Sequence, residues 1–540
     1  MQNTVSDAFR VTVARYPDND FLEVLPETAA IYGIQPGIWT YRDALAEVDR
    51  LAARYQSAGY GHGQRVGLLL LNRPEFLWHF LALNSLGLSV VPINAEFRSA
   101  ELEYLIEHSE LVLIVTVPGH ETRLAAAATA VGRSVAVATV GDAILPPNRF
   151  PDTLVKGPPS VDSECALLYT SGTTGRPKGC VLPNEYFLYA GQWYTEIGGL
   201  CDVRPGVERM ISPLPLTHMN ALAVSTSCMI LSGGCLILLD RFHPTTWWAS
   251  VRASRATIVH YLGVMPAMLL ATSASVDDRQ HAVRFGFGAG VNPRHHARFE
   301  ERFGFPLLEA WAMTETGSGA VVIANREPRH VGTACFGRAE VAVDCRIVGD
   351  EGIDVPPDIV GELWVRHAGP EPRFGFFREY LKDPAATAEA WLGGWFHTGD
   401  LVRRDADGYF RFVDRKKNII RRSGENISAV EVESVLLQYP GIRTVGVTAV
   451  PDDVRGDEVM AVVVLAGSVE VSAALAESLV AYALTKLAYY KAPGYVAFVD
   501  GLPLTPTEKI QRAGLRVLGS TLLSERRCFD VRGMKKRQDS

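Results

Sequence analysis

The chain has 540 residues, with 53 Lys and Arg against 60 Asp and Glu, and a formal net charge of −7. One hydrophobic core stops growing near ~250–300 residues, so this length predicts two or more domains. The negative charge disfavours a nucleic acid as the main partner. None of the eight cysteines forms a C-x-x-C pair. Residues 1–17 lack a signal-peptide core and no apolar run reaches the ~18 residues of a membrane span, so we expect a cytoplasmic protein.

The first third of the chain alternates predicted helices and strands. Thr40 is a suitable N-cap for a helix whose apolar residues recur on one face as far as Tyr55. Continuous apolar runs then predict strands, and periodic segments predict helices between them. In chain order these are strand 66–71, helix 74–86, strand 89–93, helix 100–108 and strand 111–117. This βαβ rhythm predicts a mostly parallel sheet that is covered on both faces.

The middle of the chain continues the alternation. The predicted elements are strand 165–169, helix 223–232, and strands 235–239, 257–261 and 284–287. The composition changes near residue 410, where a predicted strand (409–413) runs into a charged break (414–418). We interpret this break as a hinge between two domains.

Beyond the break, Ser428 and Glu431 have the spacing of a capping box for a helix that ends at residue 437. Two strands and a helix follow, at 444–450, 459–465 and 473–486. The predicted fold is therefore α/β, with a large N-terminal domain (1–414) of parallel or mixed sheets with flanking helices. A small, mobile α+β domain (415–540) completes it.

The stretch 169–179 has the composition of a phosphate-binding loop. It follows an apolar strand and combines four Ser or Thr hydroxyls with glycines and two cations. Glycine lets the backbone approach a ligand closely, and successive N–H groups in such a turn form an anion-binding concavity. It is not a Walker A loop, since no Lys-Ser or Lys-Thr follows Gly175. Its candidate nucleotide-binding residues are Thr170, Ser171, Gly172, Thr173, Thr174, Gly175 and Lys178.

Together with four later stretches in the same order, this loop resembles the adenylate-forming superfamily of acyl-CoA synthetases, peptide-synthetase adenylation domains and beetle luciferases. The later stretches are 309–316, 395–400, 414–427 and 505–510. The general resemblance begins near residue 10. Around 291–316 and 491–516 the chain is most similar to bacterial crotonobetaine/carnitine-CoA ligase-like enzymes.

In the larger predicted domain, the resemblance implies an adenine site and a metal ligand. Trp311 offers adenine a flat aromatic face. Thr314 is placed to donate to the α-phosphate, and Glu315 to bind Mg²⁺, a hard cation that prefers carboxylate and phosphate oxygens. The small-residue run implied to line the adenine and acyl sites is Gly288, Ala289 and Gly290.

Toward the C-terminus, the resemblance implies residues for the ribose, the hinge and the catalytic cation. Asp400 accepts hydrogen bonds from both ribose hydroxyls, and Arg415 adds a cation at the ribose or phosphates. Lys417 is the pivot of a domain rotation, and Gly424 leaves a path for the thiol. Lys509 contacts the substrate carboxylate and α-phosphate and stabilises the charge of the transition state.

The acyl pocket follows from the same resemblance. His218 matches a histidine or aromatic residue near the substrate carboxylate, where it gates the thiol tunnel or serves as a structural histidine. Ala312 replaces a usual glycine, so its methyl group narrows the pocket. The expected walls, which suit a small or medium acyl or aryl acid, are His218, Met219, Asn220, Val264, Met265 and Ala312. Tyr186, Trp193 and Tyr194 either offer cation–π contacts to a quaternary ammonium or pack as helix core.

The resemblance implies an AMP-forming acyl-CoA ligase that uses ATP, Mg²⁺ and CoA. ATP converts a small carboxylic acid into acyl-AMP and pyrophosphate, and the thiol of CoA then displaces AMP. After Lys509 only residues 510–540 follow, too few for a carrier domain in cis. A stand-alone enzyme that loads a carrier protein in trans is one alternative, and a catalytically silent ATP-binding protein is another. For the oligomeric state, a homodimer is one option.

Overall fold

The structure is a computed structural model that describes residues 3–170, 177–349, 351–422, 425–452, 456–467, 469–487, 489–505 and 509–535. The chain divides into two compact units. The large unit comprises residues 1–346, 364–397 and 406–411. The small unit comprises residues 347–363, 398–405 and 412–540.

The large unit contains α1 to α12. These helices are α1 (Val5–Arg15), α2 (Pro26–Tyr32), α3 (Tyr41–Ser57), α4 (Pro74–Ser85), α5 (Ser99–Ser109), α6 (Glu121–Ala130), α7 (Asn184–Glu196), α8 (Thr226–Ser232), α9 (Trp247–Ala253), α10 (Val264–Leu270), α11 (Pro293–Phe303) and α12 (Pro384–Ala390). A π-helix, Asn220–Ser225, directly precedes α8.

The strands of the large unit are β1 (Asp20–Val24), β2 (Gly37–Thr40), β3 (Arg65–Leu69), β4 (Ser89–Pro92), β5 (Leu113–Thr116), β6 (Ala136–Thr139), β7 (Glu164–Thr170), β8 (Lys178–Pro183), β9 (Arg209–Ser212), β10 (Cys235–Leu238), β11 (Ile258–Leu262), β12 (Phe285–Ala289), β13 (Leu307–Trp311), β14 (Val322–Ile323), β15 (Cys335–Gly337) and β18 (Glu379–Tyr380). Four strands have residues in both units: β16 (Val343–Val348), β17 (Gly361–His367), β19 (Phe396–Arg404) and β20 (Phe410–Arg415).

Two large sheets organise the large unit. The eight-stranded sheet has the order β14-β13-β12-β11-β9-β10-β1-β2, with β13 through β1 parallel and the two edge strands antiparallel. The seven-stranded sheet has the order β18-β8-β7-β4-β3-β5-β6, with β7 through β6 parallel. A third sheet has the order β15-β20-β19-β17-β16. The predicted α/β class, with mostly parallel sheets, is confirmed.

The predicted elements of the first third form within two residues of their expected bounds. Thr40 caps α3 as expected, because its hydroxyl accepts from the N–H of Asp43 at 3.1 Å. The Asp43 carboxylate returns the bond by accepting from the N–H of Thr40 at 3.0 Å. This capping box satisfies two N–H groups that a helix end otherwise leaves unbonded.

The predicted helix over 223–232 differs from the observed one. The observed helical segment begins at Asn220, three residues before the predicted start, and its first part is the π-helix. The hydroxyl of Ser225 donates to the carbonyl of Asn220 at 2.9 Å, and that of Thr226 donates to the carbonyl of Ala221 at 2.8 Å. Both bonds reach five residues back, so they favour the wider turn.

The small unit is an α+β structure. Its elements are β21 (Ile419–Arg422), β22 (Glu425–Ser428), α13 (Ala429–Leu436), β23 (Ile442–Asp452), β24 (Gly456–Leu465), α14 (Ala473–Leu484), β25 (Tyr495–Phe498), α15 (Arg512–Ser524) and β26 (Phe529–Asp530). Its sheet has the order β22-β21-β24-β25-β26, and β23 pairs with β24. One core cluster includes Val432, Val447, Val463 and Leu479, which α13, β23, β24 and α14 contribute.

The capping box predicted at Ser428 and Glu431 is only half formed. The hydroxyl of Ser428 accepts from the N–H of Glu431 at 3.1 Å. The Glu431 carboxylate accepts instead from Lys491 Nζ, at 2.7 and 2.8 Å. An ammonium from another segment has therefore replaced the local return bond.

In the described part of the chain, no helix combines the length and apolarity that a bilayer crossing demands.

Candidate functional site

The carboxyl ends of four parallel strands meet at one edge of the eight-stranded sheet. β13, β12, β11 and β9 are consecutive neighbours in that sheet. In the segments that follow these strands, His218, Val264, Gly290 and Ala312 are all exposed, Val264 as the first residue of α10. Ligands of α/β sheets bind at such edges. The fold therefore brings these four sequence-predicted positions to one edge. Met265, predicted for the same wall, is 3 % exposed.

The end of β12 is shaped by the buried carboxylate of Glu309. It accepts from the N–H of Gly290 at 3.0 Å, the N–H of Val291 at 3.2 Å and the hydroxyl of Tyr261 at 2.8 Å. Burial raises the pKa of Glu309, and these donors oppose the rise. A Cβ at Gly288 would lie 2.3 Å from the carbonyl oxygen of Tyr261, so only glycine fits there. Glu309 thus fixes the turn that was predicted to line the adenine site.

Glu315 lies in the turn after β13, and its carboxylate is buried. Its Oε1 accepts from the hydroxyl of Tyr380 at 3.0 Å, and the hydroxyl of Thr170 lies 3.5 Å from the same oxygen. Burial, and next the Glu315 charge, raise the pKa of Tyr380, so this hydroxyl remains a donor. Among the residues that the structure describes, no cationic side chain pairs with Glu315. A buried carboxylate without such a pair favours a bound cation.

The turn that carries Thr314 and Glu315 packs on helix α7. The hydroxyl of Tyr186 donates to the carbonyl of Thr314 at 2.9 Å. Gly317 has φ +50°, and a Cβ there would lie 2.3 Å from the Tyr186 ring. This close packing requires glycine. The Thr314 side chain is half-buried.

The β7–β8 hairpin brings the stem of the predicted phosphate loop to Glu315. Thr170 and Lys178 are directly paired across the hairpin. Lys178 Nζ lies 4.7 Å from the ring centroid of Tyr380. We call Thr170, Lys178, Glu315 and Tyr380 the Glu315 cluster. The predicted residues Ser171, Gly172, Thr173, Thr174 and Gly175 lie outside the described residues.

The predicted aromatic residues are mostly interior. Trp311 is 5 % exposed, with its ring 6.3 Å from that of Phe336, and its role at adenine stays a prediction. Tyr186 and Tyr194 are fully buried, while Trp193 is half-buried. Of the two interpretations offered for the tyrosines, the structure favours helix packing.

In the small unit, Asp400 and Arg415 form an ion pair. Arg415 Nε lies 2.6 Å from Asp400 Oδ1, and the Asp400 side chain is 2 % exposed. The N–H of Asp400 donates to the hydroxyl of Thr398 at 3.0 Å. That hydroxyl donates to the carbonyl of Leu363 at 2.6 Å. The carboxylate therefore has a fixed position on β19.

Two hydrogen bonds join Lys509 to Thr505, four positions earlier in the chain. The N–H of Thr505 donates to the carbonyl of Lys509 at 2.7 Å, and the N–H of Lys509 donates to the Thr505 hydroxyl at 3.1 Å. Lys509 is exposed to solvent. Partial loss of hydration around its ammonium, and next the Arg415 guanidinium, lower the pKa of Lys509. Gly424 lies outside the described residues, and for Lys417 only the main chain, in the turn Lys416–Asn418, is described.

Several residues that shape this site were missed from the sequence. Tyr380 and Tyr186 act on the Glu315 turn from distant segments, and no local pattern marks them. Glu309 belongs to the stretch 309–316 that resembles the family, but its role became clear only from the three hydrogen bonds that its carboxylate accepts. Arg512, three residues after Lys509, pairs with Glu433, and neither residue was marked by a sequence pattern.

Family models and known proteins agree on the relationship of this chain. Residues 9–381 match the family model described as AMP-binding enzyme, and residues 431–509 match the AMP-binding enzyme C-terminal domain. Crotonobetaine/carnitine–CoA ligases of Escherichia coli O157:H7 and Shigella flexneri are each 30 % identical over 496 residues. The alignments cover 88 % of this chain and 93 % of theirs.

Solved structures share the fold. MatB from Rhodopseudomonas palustris with ATP bound has a TM-score of 0.80 at 24 % identity, covering 95 % of this chain and 98 % of its own. The o-succinylbenzoate CoA synthetase of Bacillus subtilis, in complex with the acyl-adenylate OSB-AMP, has a TM-score of 0.79 at 23 % identity, covering 94 % and 97 %. Since one family model spans most of the chain and curated relatives align along nearly all of it, this chain belongs to the AMP-binding enzyme family.

Proposed function

We propose that this protein is an AMP-forming acyl-CoA ligase. It activates a carboxylic acid with ATP to give acyl-AMP and pyrophosphate, and then transfers the acyl group to the thiol of CoA. The observation that carries the proposal is the Glu315 cluster, a buried carboxylate beside the stem of a phosphate-type loop. Its occurrence in a member of the AMP-binding enzyme family supports the adenylating half of the reaction.

In the first half-reaction, the carboxylate of the substrate attacks the α-phosphorus of ATP and pyrophosphate leaves. Positioning and electrostatic stabilisation carry such chemistry, so no acid–base triad is required. Lys178 and the loop after Thr170 hold the departing pyrophosphate, and Thr314 donates to the α-phosphate. Lys509 stabilises the negative charge that builds on the phosphoryl oxygens.

The oxygen donors of the Glu315 cluster fit Mg²⁺. The cation prefers carboxylate and phosphate oxygens and is bound through one or two carboxylates plus substrate phosphates. Glu315 and the Thr170 hydroxyl would hold it, and its charge would offset that of the triphosphate. Such binding is compatible with the absence, among the described residues, of a cluster of three protein metal ligands.

The ribose is assigned to Asp400. A carboxylate only accepts hydrogen bonds, so it suits two ribose hydroxyls. Arg415 Nε lies 2.6 Å from Asp400 Oδ1, and its positive charge also favours binding of the phosphates. Trp311, with Gly288, Ala289 and Gly290, is assigned to adenine.

In the second half-reaction, the thiol sulfur forms the new bond to the acyl carbon and AMP leaves. The small domain turns at Lys417, which withdraws Lys509 and brings Gly424 to the path of the thiol. His218, exposed at the carboxyl edge of the sheet, is assigned to gating that path. CoA is the proposed thiol, because the curated relatives are CoA ligases. A reaction that consumes ATP and CoA suits the cytoplasm.

The acid is proposed to be a small or medium acyl or aryl acid. Crotonobetaine and carnitine enter as candidates through the names of the curated relatives. The burial of Tyr186 and Tyr194 removes two of the three aromatic faces offered to a quaternary ammonium. The acids tested as substrates must therefore include acyl and aryl acids as well as betaines.

The test measures pyrophosphate release from ATP and Mg²⁺ with carnitine, crotonobetaine, benzoates and short fatty acids, with and without CoA. We expect acid-dependent release, and a thioester product only when CoA is present. A phosphopantetheinylated carrier protein replaces CoA in a parallel series. Acid-dependent release with acyl transfer to that carrier alone would establish a carrier-loading enzyme, and no release with any acid would refute the ligase.

A further inference from the structure

A buried histidine fixes one side chain at the edge of the acyl pocket. His260, on β11, is fully buried, and its ring stacks on that of Phe287 with the ring centroids 4.9 Å apart. Its Nε2 lies 3.0 Å from the hydroxyl of Tyr194. Its Nδ1 lies 2.7 Å from Asn220 Oδ1 and 2.9 Å from the hydroxyl of Ser225. Among the described residues, the polar partners of this imidazole come from two neighbouring segments, α7 and the π-helix.

The direction of these hydrogen bonds follows from the number of protons. The one hydroxyl hydrogen of Ser225 is donated to the carbonyl of Asn220 at 2.9 Å, so Ser225 accepts from the histidine. Nδ1 therefore carries the hydrogen, and Nε2 accepts from the hydroxyl of Tyr194. Burial lowers the pKa of His260 to about 3, so the ring is neutral near pH 7. In this arrangement Asn220 faces the histidine with its amide oxygen.

The amide nitrogen of Asn220 is then directed away from His260. In the described part of the chain it has no hydrogen-bond partner, and it is not among the buried polar atoms that lack one. Asn220 is half-buried and begins the π-helix, two residues after the exposed His218. The nitrogen therefore reaches open space beside the carboxyl edge of the sheet, and π-helical turns frequently occur at functional sites.

We propose that Asn220 selects the acyl group by donating a hydrogen bond from its amide nitrogen. The preferred substrates are carboxylic acids that carry a second oxygen acceptor, such as a carbonyl or hydroxyl, on the acyl chain or ring. This inference rests on the proposed ligase function and adds the substrate class. A site built to hydrogen-bond a substrate discriminates against the analogue that lacks the acceptor, because its own polar group is then left unpaired.

The test compares shape-matched acids in the pyrophosphate assay. One pair is 4-oxopentanoate and 4-methylpentanoate, and the other is 4-acetylbenzoate and 4-isopropylbenzoate. The wild type should favour the ketone by roughly tenfold or more in kcat/KM in at least one pair. Asn220→Leu should bring that ratio to about 1, mainly by slowing the ketone.

Two tyrosine variants separate this role from general stability. Tyr194→Phe removes the hydroxyl that donates to His260 Nε2, so the imidazole is held less firmly and the ketone preference should fall. Tyr55→Phe removes the same kind of buried bond, to Nδ1 of His79, far along the chain, and should leave the preference unchanged. A wild-type ratio near 1 in both pairs, or a ratio unaffected by Asn220→Leu, overturns the inference while leaving the ligase intact. Absence of release with every acid overturns both.

Discussion

The guanidinium of Arg512 forms two parallel hydrogen bonds to the carboxylate of Glu433, 2.5 and 2.8 Å long. Glu433 also accepts from the N–H of Val447 at 2.7 Å, so the pair joins the start of α15 to α13 and β23. Arg512 follows Lys509 by three residues. The pair therefore anchors the chain just after Lys509.

Weakening this pair should slow adenylate formation selectively. Arg512→Lys keeps the charge but loses the two-pronged geometry. We expect a roughly 10–100-fold lower rate of pyrophosphate release, because small displacements of a catalytic group are costly. Thioester formation from supplied acyl-AMP should stay within about threefold, since that step does not use Lys509.

The matched control is Arg422→Lys, in a buried ion pair of the small unit whose carboxylate, Glu458, also pairs with Lys535. Arg422 Nε lies 2.8 Å from Glu458 Oε2, and both side chains are at most 6 % exposed. This change should not reduce adenylate formation more than thioester formation. Equal losses in both half-reactions for Arg512→Lys would show that the Glu433 pair only stabilises the fold.

Removing the ammonium of Lys509 should separate the half-reactions more strongly. Lys509→Ala should lower adenylate formation by about 10²-fold or more, as the loss of a transition-state donor does elsewhere. Its activity with supplied acyl-AMP and CoA should remain near that of the wild type. A variant that loses both steps equally would refute the domain-rotation account.

The pH profile of adenylate formation should report the same ammonium. Partial loss of hydration and the Arg415 charge lower the pKa of Lys509. Because the protonated form is the active one, the rate should decline on the alkaline side at a pH below the ordinary lysine value of ~10.4. Arg415→Met should move this decline to higher pH, whereas Arg415→Lys, which keeps a positive charge, should move it less. A decline at the same pH in all three proteins would show that the charge of Arg415 does not affect the pKa of Lys509.

The Glu315 cluster should set the requirement for Mg²⁺. Chelation of divalent cations should abolish pyrophosphate release. Glu315→Gln should raise the Mg²⁺ concentration for half-maximal rate by a large factor. Tyr380→Phe, which removes the donor 3.0 Å from Oε1, should raise it by roughly tenfold, as lost partners of metal ligands do. Unchanged Mg²⁺ dependence in both variants would remove Glu315 from the metal site.

The stability of the large unit should fall as the pH drops below neutrality. Burial lowers the pKa of His79 to about 3, against ~6.5 in an unfolded chain. Between these values the unfolded state binds one more proton, so the free energy of unfolding falls by about 1.4 kcal/mol per pH unit. His79→Gln should make the pH dependence shallower by that amount in urea titrations from pH 6.5 to pH 4.5.

Tyr55→Phe is the control for this titration. It removes the hydroxyl 2.5 Å from Nδ1 but leaves the buried imidazole, so most of the pH dependence should persist. Parallel pH profiles for wild type and His79→Gln would mean that His79 takes up its proton equally in both states.

The amino-acid sequence by itself determined the local features of this protein. The helix cap at Thr40 bonds to a residue only three positions away, and the continuous apolar runs of β3, β4 and β5 identify strands buried on both faces. The order of five motifs identified the family. Such features depend on neighbours within a few positions, so they are visible in the chain alone.

The tertiary structure decided which distant residues meet at the site. Tyr380 lies 65 positions from Glu315, Thr170 lies 145 positions from it, and Arg512 lies 79 positions from Glu433. These contacts depend on strand order and on how helices pack on the sheets, which no local pattern encodes. The same reason explains the half-formed cap at Ser428, where an ammonium from residue 491 outcompetes the local bond.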